Sequence, residues 1–86
     1  MSDKKYPFGA VIRERRLQLG LTQDALAERA NISSRWVQRL ESGKQQPSLT
    51  SFFGLAHGLD CEVGILIREF QAAWREQGGP GARSDP

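Results

Sequence analysis

The stretch Thr22-Gln-Asp-Ala-Leu-Ala-Glu-Arg-Ala-Asn31-Ile-Ser-Ser-Arg-Trp-Val-Gln-Arg-Leu-Glu41 constrains the fold more than any other part of the chain. Apolar residues at Leu26, Ala30, Ile32, Val37 and Leu40 recur at the steps that place one side of each of two short helices on a shared core. Ala27 falls where two helices crossing at roughly 90–120° nearly touch. Asn31 stands where the chain must leave the first of them through a left-handed residue, a conformation that suits Asn best after Gly. Ser33 then offers a side-chain oxygen to cap the second. The pattern is a helix-turn-helix whose second helix keeps a polar and basic face outside, and it points to DNA.

Periodicity and punctuation extend this unit in both directions. A first helix is expected from about Phe8 to Leu19, opened by Pro7, with Phe8, Ile12 and Leu19 toward the core, Arg13 and Glu14 outward, and Gly20 as its left-handed end. The second and third helices span about Gln23 to Ala30, capped by Thr22, and about Ser34 to Glu41; the polar segment from Ser42 to Pro47 reverses the chain. Ser48 caps a fourth helix carrying Leu49, Phe52, Phe53, Ala56 and Leu59, in which Gly54 and Gly58 each cost about 1 kcal/mol relative to alanine. A fifth runs from about Glu62 to Gln77, with Val63, Leu66, Ile67, Phe70, Ala73 and Trp74 at steps of three and four. The fold class is therefore all-α, a five-helix domain over residues 8–77, with a flexible arm at 1–7 and a disordered tail at 78–86.

Composition narrows the function. With 86 residues, 38% hydrophobic and 26% charged, the chain builds one small core of marginal stability, to which dimerisation would add. Cys61 is the lone cysteine, so no disulfide framework forms, and no Cys/His set has zinc spacing. His57 and Cys61 lie four apart but are too few to hold a metal, and no cofactor is called for. One His, one Cys and no clustered carboxylates leave no acid-base or nucleophilic constellation, which argues against an enzyme. The start of the chain lacks the apolar run of a signal peptide, and Ile65-Leu-Ile67 is far too short to cross a bilayer, so the expectation is a cytoplasmic protein without membrane contact. Residues 1–44 carry nine Lys/Arg against five Asp/Glu, and residues 45–86 three against five, within an overall charge of +2. A basic amino half with a mildly acidic carboxyl half suits a phosphate-binding face backed by a packing face, although charges also simply solvate helices.

Ile12-Arg-Glu-Arg-Arg16, Gly20-Leu-Thr-Gln23, Leu26-Ala27, Val37, Leu40-Glu41, Gly43-Lys44, Pro47-Ser48 and Leu55-Ala56 together resemble the phage lambda repressor and Cro type of helix-turn-helix regulator, the XRE family. The resemblance covers roughly Phe8 to Ile67 and implies a five-helix bundle whose second and third helices form the DNA-binding unit. The chain departs from the family pattern at Asn31 and Asp60, where glycines are common, and at Gly54 and Gly58, where helix formers are usual.

Because Val37 and Leu40 face inward on the third helix, Ser34, Arg35, Gln38 and Arg39 share the outward face. Arginine pairs with guanine O6 and N7, glutamine with adenine, and serine is a permissive donor or acceptor, so these four are the candidate base readers. The resemblance implies the same for Ser34, Arg35 and Arg39. It also implies that Gln23 hydrogen-bonds a phosphate, which the exposed amides at that helix start favour independently. Thr22 and Ser33, beside the two helix starts, are candidate phosphate contacts as well as caps, and Ser42 and Lys44 resemble the family's backbone-clamping loop. Trp36 either lies along the sugar-phosphate edge or covers the junction of the third and fourth helices. By resemblance, Arg16 and Glu41 form an internal salt bridge between the first and third helices; the competing reading leaves Arg16 free for phosphate. Lys4 and Lys5 either reach the duplex or stay solvated.

The fifth helix carries more large apolar residues than so small a bundle needs. The expectation is a homodimer through Ile67, Phe70 and Trp74, which would set two reading helices about one DNA turn apart, roughly 34–36 Å, on a near-palindromic operator; alternatively Phe70 and Trp74 fold back on their own chain. The partner is then double-stranded DNA and the function transcriptional regulation, expected as repression, with a toxin or RNA polymerase as a possible protein partner. An antitoxin or protein-interaction module on the same scaffold is the alternative, and phage regulators and restriction-modification controllers share this compact form.

Overall fold

The computed structural model of the protein describes residues 6–78. Five helices follow one another: α1 (Gly9–Gln18), α2 (Gln23–Ala30), α3 (Ser34–Glu41), α4 (Leu49–Gly58) and α5 (Val63–Glu76). The arm with Lys4 and Lys5, up to residue 5, and the tail from residue 79 lie outside the described residues. Among the described residues, no single helix is long and apolar enough to cross a membrane.

The helix starts follow their capping chemistry. Thr22, Ser33 and Ser48 each have extended backbone dihedrals, and each side chain accepts a hydrogen bond from the amide three residues on, at Ala25, Trp36 and Ser51. Asn31 ends α2 at φ 59° and ψ 44°, so the chain turns within three residues and α3 starts across α2. Ile12, Leu26, Ala27, Ala30, Val37 and Leu40 join Phe52, Leu55, Ala56, Leu59, Leu66 and Phe70 in one continuous core.

The two glycines of α4 have a use that their helix propensity hides. A Cβ at Gly54 would stand 2.5 Å from the carbonyl oxygen of Ala30, and one at Gly58 would stand 3.1 Å from both the Ala30 amide nitrogen and a Leu26 methyl carbon. The bare backbone at Gly54 lets α4 lie against α2 at a distance an alanine there does not permit, and Gly58 leaves only a tight fit for a methyl. The Arg29 guanidinium closes the same contact by donating to the Gly58 carbonyl at 2.6 Å.

Several apolar residues take places other than those expected. Leu19 is 45% exposed rather than core-facing: α1 stops at Gln18, and the inner position four residues after Ile12 belongs to Arg16. Leu49 and Phe53 are exposed because nothing among the described residues covers the outer flank of α4. Phe70, expected at a dimer interface, is only 5% exposed. Its ring stacks on Phe8 at 4.5 Å with planes 5° apart and meets Phe52 edge-on at 5.1 Å, while Trp74 lies over Phe8 at 6.4 Å. The surplus aromatics of α5 thus dock the start of α1. Arg15 adds a two-bond clip to Glu69 at 2.7 and 2.8 Å, and this pairing holds the Glu69 carboxyl below the usual carboxylate range.

The glycine contacts give a stability test of unusual sign. Gly54→Ala should lower stability by about 1–3 kcal/mol despite its better helix propensity, because the added methyl is forced into a backbone oxygen. Gly64→Ala on α5 meets nothing within 4 Å and should stabilise by up to about 1 kcal/mol. Thermal unfolding of both variants checks the pair.

Candidate nucleic-acid interface

Helix α3 is held from its buried side by charge as well as by apolar packing. Val37 and Leu40 lie in the core, and the next position toward the helix end is Glu41, whose side chain is 4% exposed. Arg16 reaches it from α1: Nε donates to Oε2 at 2.6 Å and Nη2 to Oε1 at 3.0 Å, while Nη1 donates to the Leu21 carbonyl at 2.8 Å. Gln23 Nε2, from the first turn of α2, completes the cluster with a 3.0 Å bond to Oε1. The bonds to Glu41 raise the Arg16 guanidinium above its ordinary value against the opposing pull of burial. Among the described residues, no buried side-chain nitrogen or oxygen lacks a partner. Beside this cluster, Gly9 lets α1 press on the end of α3, since a Cβ there would collide with the carbonyl oxygens of Leu40 and Glu41. Two helices and the loop between them therefore fix where α3 points.

The opposite face of α3 carries Arg35, Gln38 and Arg39. Arg35 and Gln38 are exposed and Arg39 half-buried, and among the described residues none of the three side chains is engaged in a hydrogen bond or ion pair. Positions 35 and 39 are one turn apart, about 6 Å along the axis, so both guanidinium groups leave the same flank. Ser34, expected as a fourth reader, differs: its hydroxyl donates to Asp24 Oδ1 at 2.5 Å. Asp24 is a residue that sequence reasoning missed, because its place in the first turn of α2 has an ordinary explanation in the helix dipole.

The expected phosphate contacts divide by whether a proton is left to give. Thr22 and Ser33 accept from their capped amides, so each hydroxyl proton is available to an anion beside a helix start. Lys44 is exposed on the loop after α3. Gln23 already spends one amide proton on Glu41, so orienting that carboxylate is its first role here. Ser42 is engaged more fully: its hydroxyl donates to the Arg39 carbonyl at 3.1 Å and its amide to the Gln38 carbonyl at 3.0 Å, which leaves no proton for a phosphate in this conformation. Trp36 is half-buried and packs against the core.

The Arg39 carbonyl also accepts from the amides of Lys44 and Gln45, and Tyr6 donates its amide to the Gly43 carbonyl at 2.9 Å. The loop bearing Lys44 is thereby tied to the end of α3. No group of three or more His, Cys, Asp or Glu residues among the described residues is placed to hold a metal ion.

The helix-turn-helix family model matches residues 12–66. An uncharacterised HTH-type transcriptional regulator of Methanothermobacter thermautotrophicus is 42% identical over 52 residues, 60% of this chain and 75% of that protein. Among solved structures, the restriction-modification controller protein C.AhdI from Aeromonas hydrophila has 34% identity over 71% of this chain and 92% of its own, with a TM-score of 0.67. The clp gene regulator ClgR from Corynebacterium glutamicum has 26% identity over 85% of this chain and 78% of its own, with a TM-score of 0.75.

Removing half of the buried ion pair should be costly. Glu41→Gln strands the Arg16 guanidinium without its counter-charge and is expected to lose about 3–5 kcal/mol. Glu69→Gln, at the more exposed Arg15 clip, should lose no more than about 1 kcal/mol. Urea unfolding midpoints of the two variants compare them directly.

Proposed function

The chain belongs to the helix-turn-helix family of the lambda repressor and Cro type, and from that premise we propose that it represses transcription by binding a near-palindromic operator as a homodimer. Each α3 enters a major groove, where Arg35 and Arg39 pair with guanine edges and Gln38 with an adenine. Thr22, Ser33, Lys44 and the amides at the starts of α2 and α3 take the flanking phosphates. One observation carries this reading: the helix most rigidly fixed by buried charge leaves Arg35, Gln38 and Arg39 unengaged on its outer face. A bound promoter is closed to polymerase, which is why repression is the default outcome.

The dimer in this proposal uses the outer flank of α4 and α5. Leu49, Phe53, Val63 and Ile67 are all exposed there, around an open apolar groove of about 690 Å³. Phe70 serves as its floor rather than as a contact, and Ile67 and the rim at Trp74 remain from the sequence expectation. The likeness to a restriction-modification controller favours a controller role among repressors of this size; a methylase gene beside this one is the observation that selects it.

Two measurements test the proposal. On a duplex enriched from random DNA, Arg35→Ala and Arg39→Ala should each cost about 1–3 kcal/mol of affinity and relax the preference at particular base pairs. Lys44→Ala should weaken all sequences alike and reduce the salt slope by about one. Equal losses on every sequence for all three variants would reassign the arginines to phosphates. Separately, sedimentation at micromolar concentration should give twice the 9.6 kDa chain mass, and Ile67→Asp should return it to a monomer with its helix content intact. A wild-type monomer at that concentration contradicts the dimer.

A further inference from the structure

The bond between Ser34 and Asp24 changes what Ser34 is able to read. A serine hydroxyl holds one proton and two acceptor lone pairs, and a free serine on a reading helix therefore pairs with base donors and acceptors alike. Here the proton is committed to a carboxylate oxygen at 2.5 Å, the short range of hydrogen bonds to an ionised acceptor. What Ser34 Oγ has left to offer outward is lone pairs alone. Asp24 belongs to α2 and Ser34 to α3, so the bond spans the turn at Asn31 and rests on backbones fixed by the capped helix starts and by the buried Arg16, Glu41 and Gln23 cluster. Asp24 has no basic partner among the described residues, since the ion pairs of the fold lie elsewhere. Its carboxylate thus remains a negative charge without an ion-pair partner, beside a helix that carries Arg35 and Arg39.

We infer that Asp24 is a specificity-determining positioning residue, holding Ser34 as an obligate hydrogen-bond acceptor so that α3 selects a base offering an amino group in the major groove. Cytosine N4 and adenine N6 are the donors exposed there; guanine and thymine present acceptors at the corresponding edge. The inference rests on the proposed entry of α3 into the major groove. It adds a second effect of the same side chain: the Asp24 carboxylate repels phosphates of any sequence, so part of the affinity of the basic face is given up for discrimination at one base pair.

The test is enrichment of random duplex DNA at fixed salt with the full chain and with D24A, D24N, S34A and the D24A/S34A double variant. S34A identifies the base pair that Ser34 faces, as the one position where preference is lost. At that position the full chain should favour adenine or cytosine, and D24A should lower this discrimination about two- to tenfold, the worth of one hydrogen bond. D24N keeps an acceptor for the hydroxyl and should retain the preference while raising affinity for all sequences. In the S34A background, D24A should have no further effect at that position. An unchanged preference in D24A, or an effect of D24A that persists without the serine hydroxyl, overturns the inference while leaving the regulator proposal intact. A full chain that enriches no consensus removes both.

Discussion

Arg16 and Glu41 are two opposite charges inside a core of barely a dozen side chains, and the rest of the molecule is arranged so that they can be there. Charge removed from water is tolerated only with close pairing and with the remaining donors and acceptors occupied. Leu21, Gln23 and the paired guanidinium and carboxylate groups meet that requirement. The same bonds join α1, the loop after it, the start of α2 and the end of α3. An apolar contact between these elements would tolerate sliding and small rotations. A forked guanidinium on a carboxylate is directional, and it sets the angle at which α3 is presented.

Around that cluster the fold divides its two helix pairs between two tasks. The glycines of α4 bring it close behind α2, so the helix-turn-helix has a firm back. The aromatic stack of Phe8, Phe70 and Phe52 seals α5 against the start of α1. What remains outside is basic on the face of α3 and apolar on the flank of α4 and α5, in line with the charge division between the halves of the chain.

Local signals made most of this legible in the sequence. The bounds of α2 and α3, the caps at Thr22, Ser33 and Ser48 and the left-handed Asn31 follow from side chains interacting with their own turn of backbone, and the structure has each of them. Periodicity names a face but not what covers it, which is why Leu19, expected on the core side, stands outside, and why the apolar pattern of α4 does not tell the exposed Leu49 and Phe53 from the buried Phe52. Gly54 and Gly58 read as weak points because their benefit is a contact with Ala30, 24 and 28 residues away in the chain. The ion pair of Arg16 and Glu41 was legible only through family resemblance. The Ser34 to Asp24 bond and the inward use of Gln23 and Ser42 had no sequence signal, since each depends on how a hydroxyl or amide is turned in three dimensions.

The central claim is that the guanidinium groups of Arg35 and Arg39 lie against guanine edges in the major groove. Methylation interference at guanine N7 probes that contact atom itself, using a duplex the protein prefers over competitor DNA. The account predicts that binding is lost when guanines are methylated in two short clusters, centred about one helical turn apart on the same side of the duplex. Binding that is indifferent to N7 methylation, and disturbed only by modification of phosphates, would contradict it.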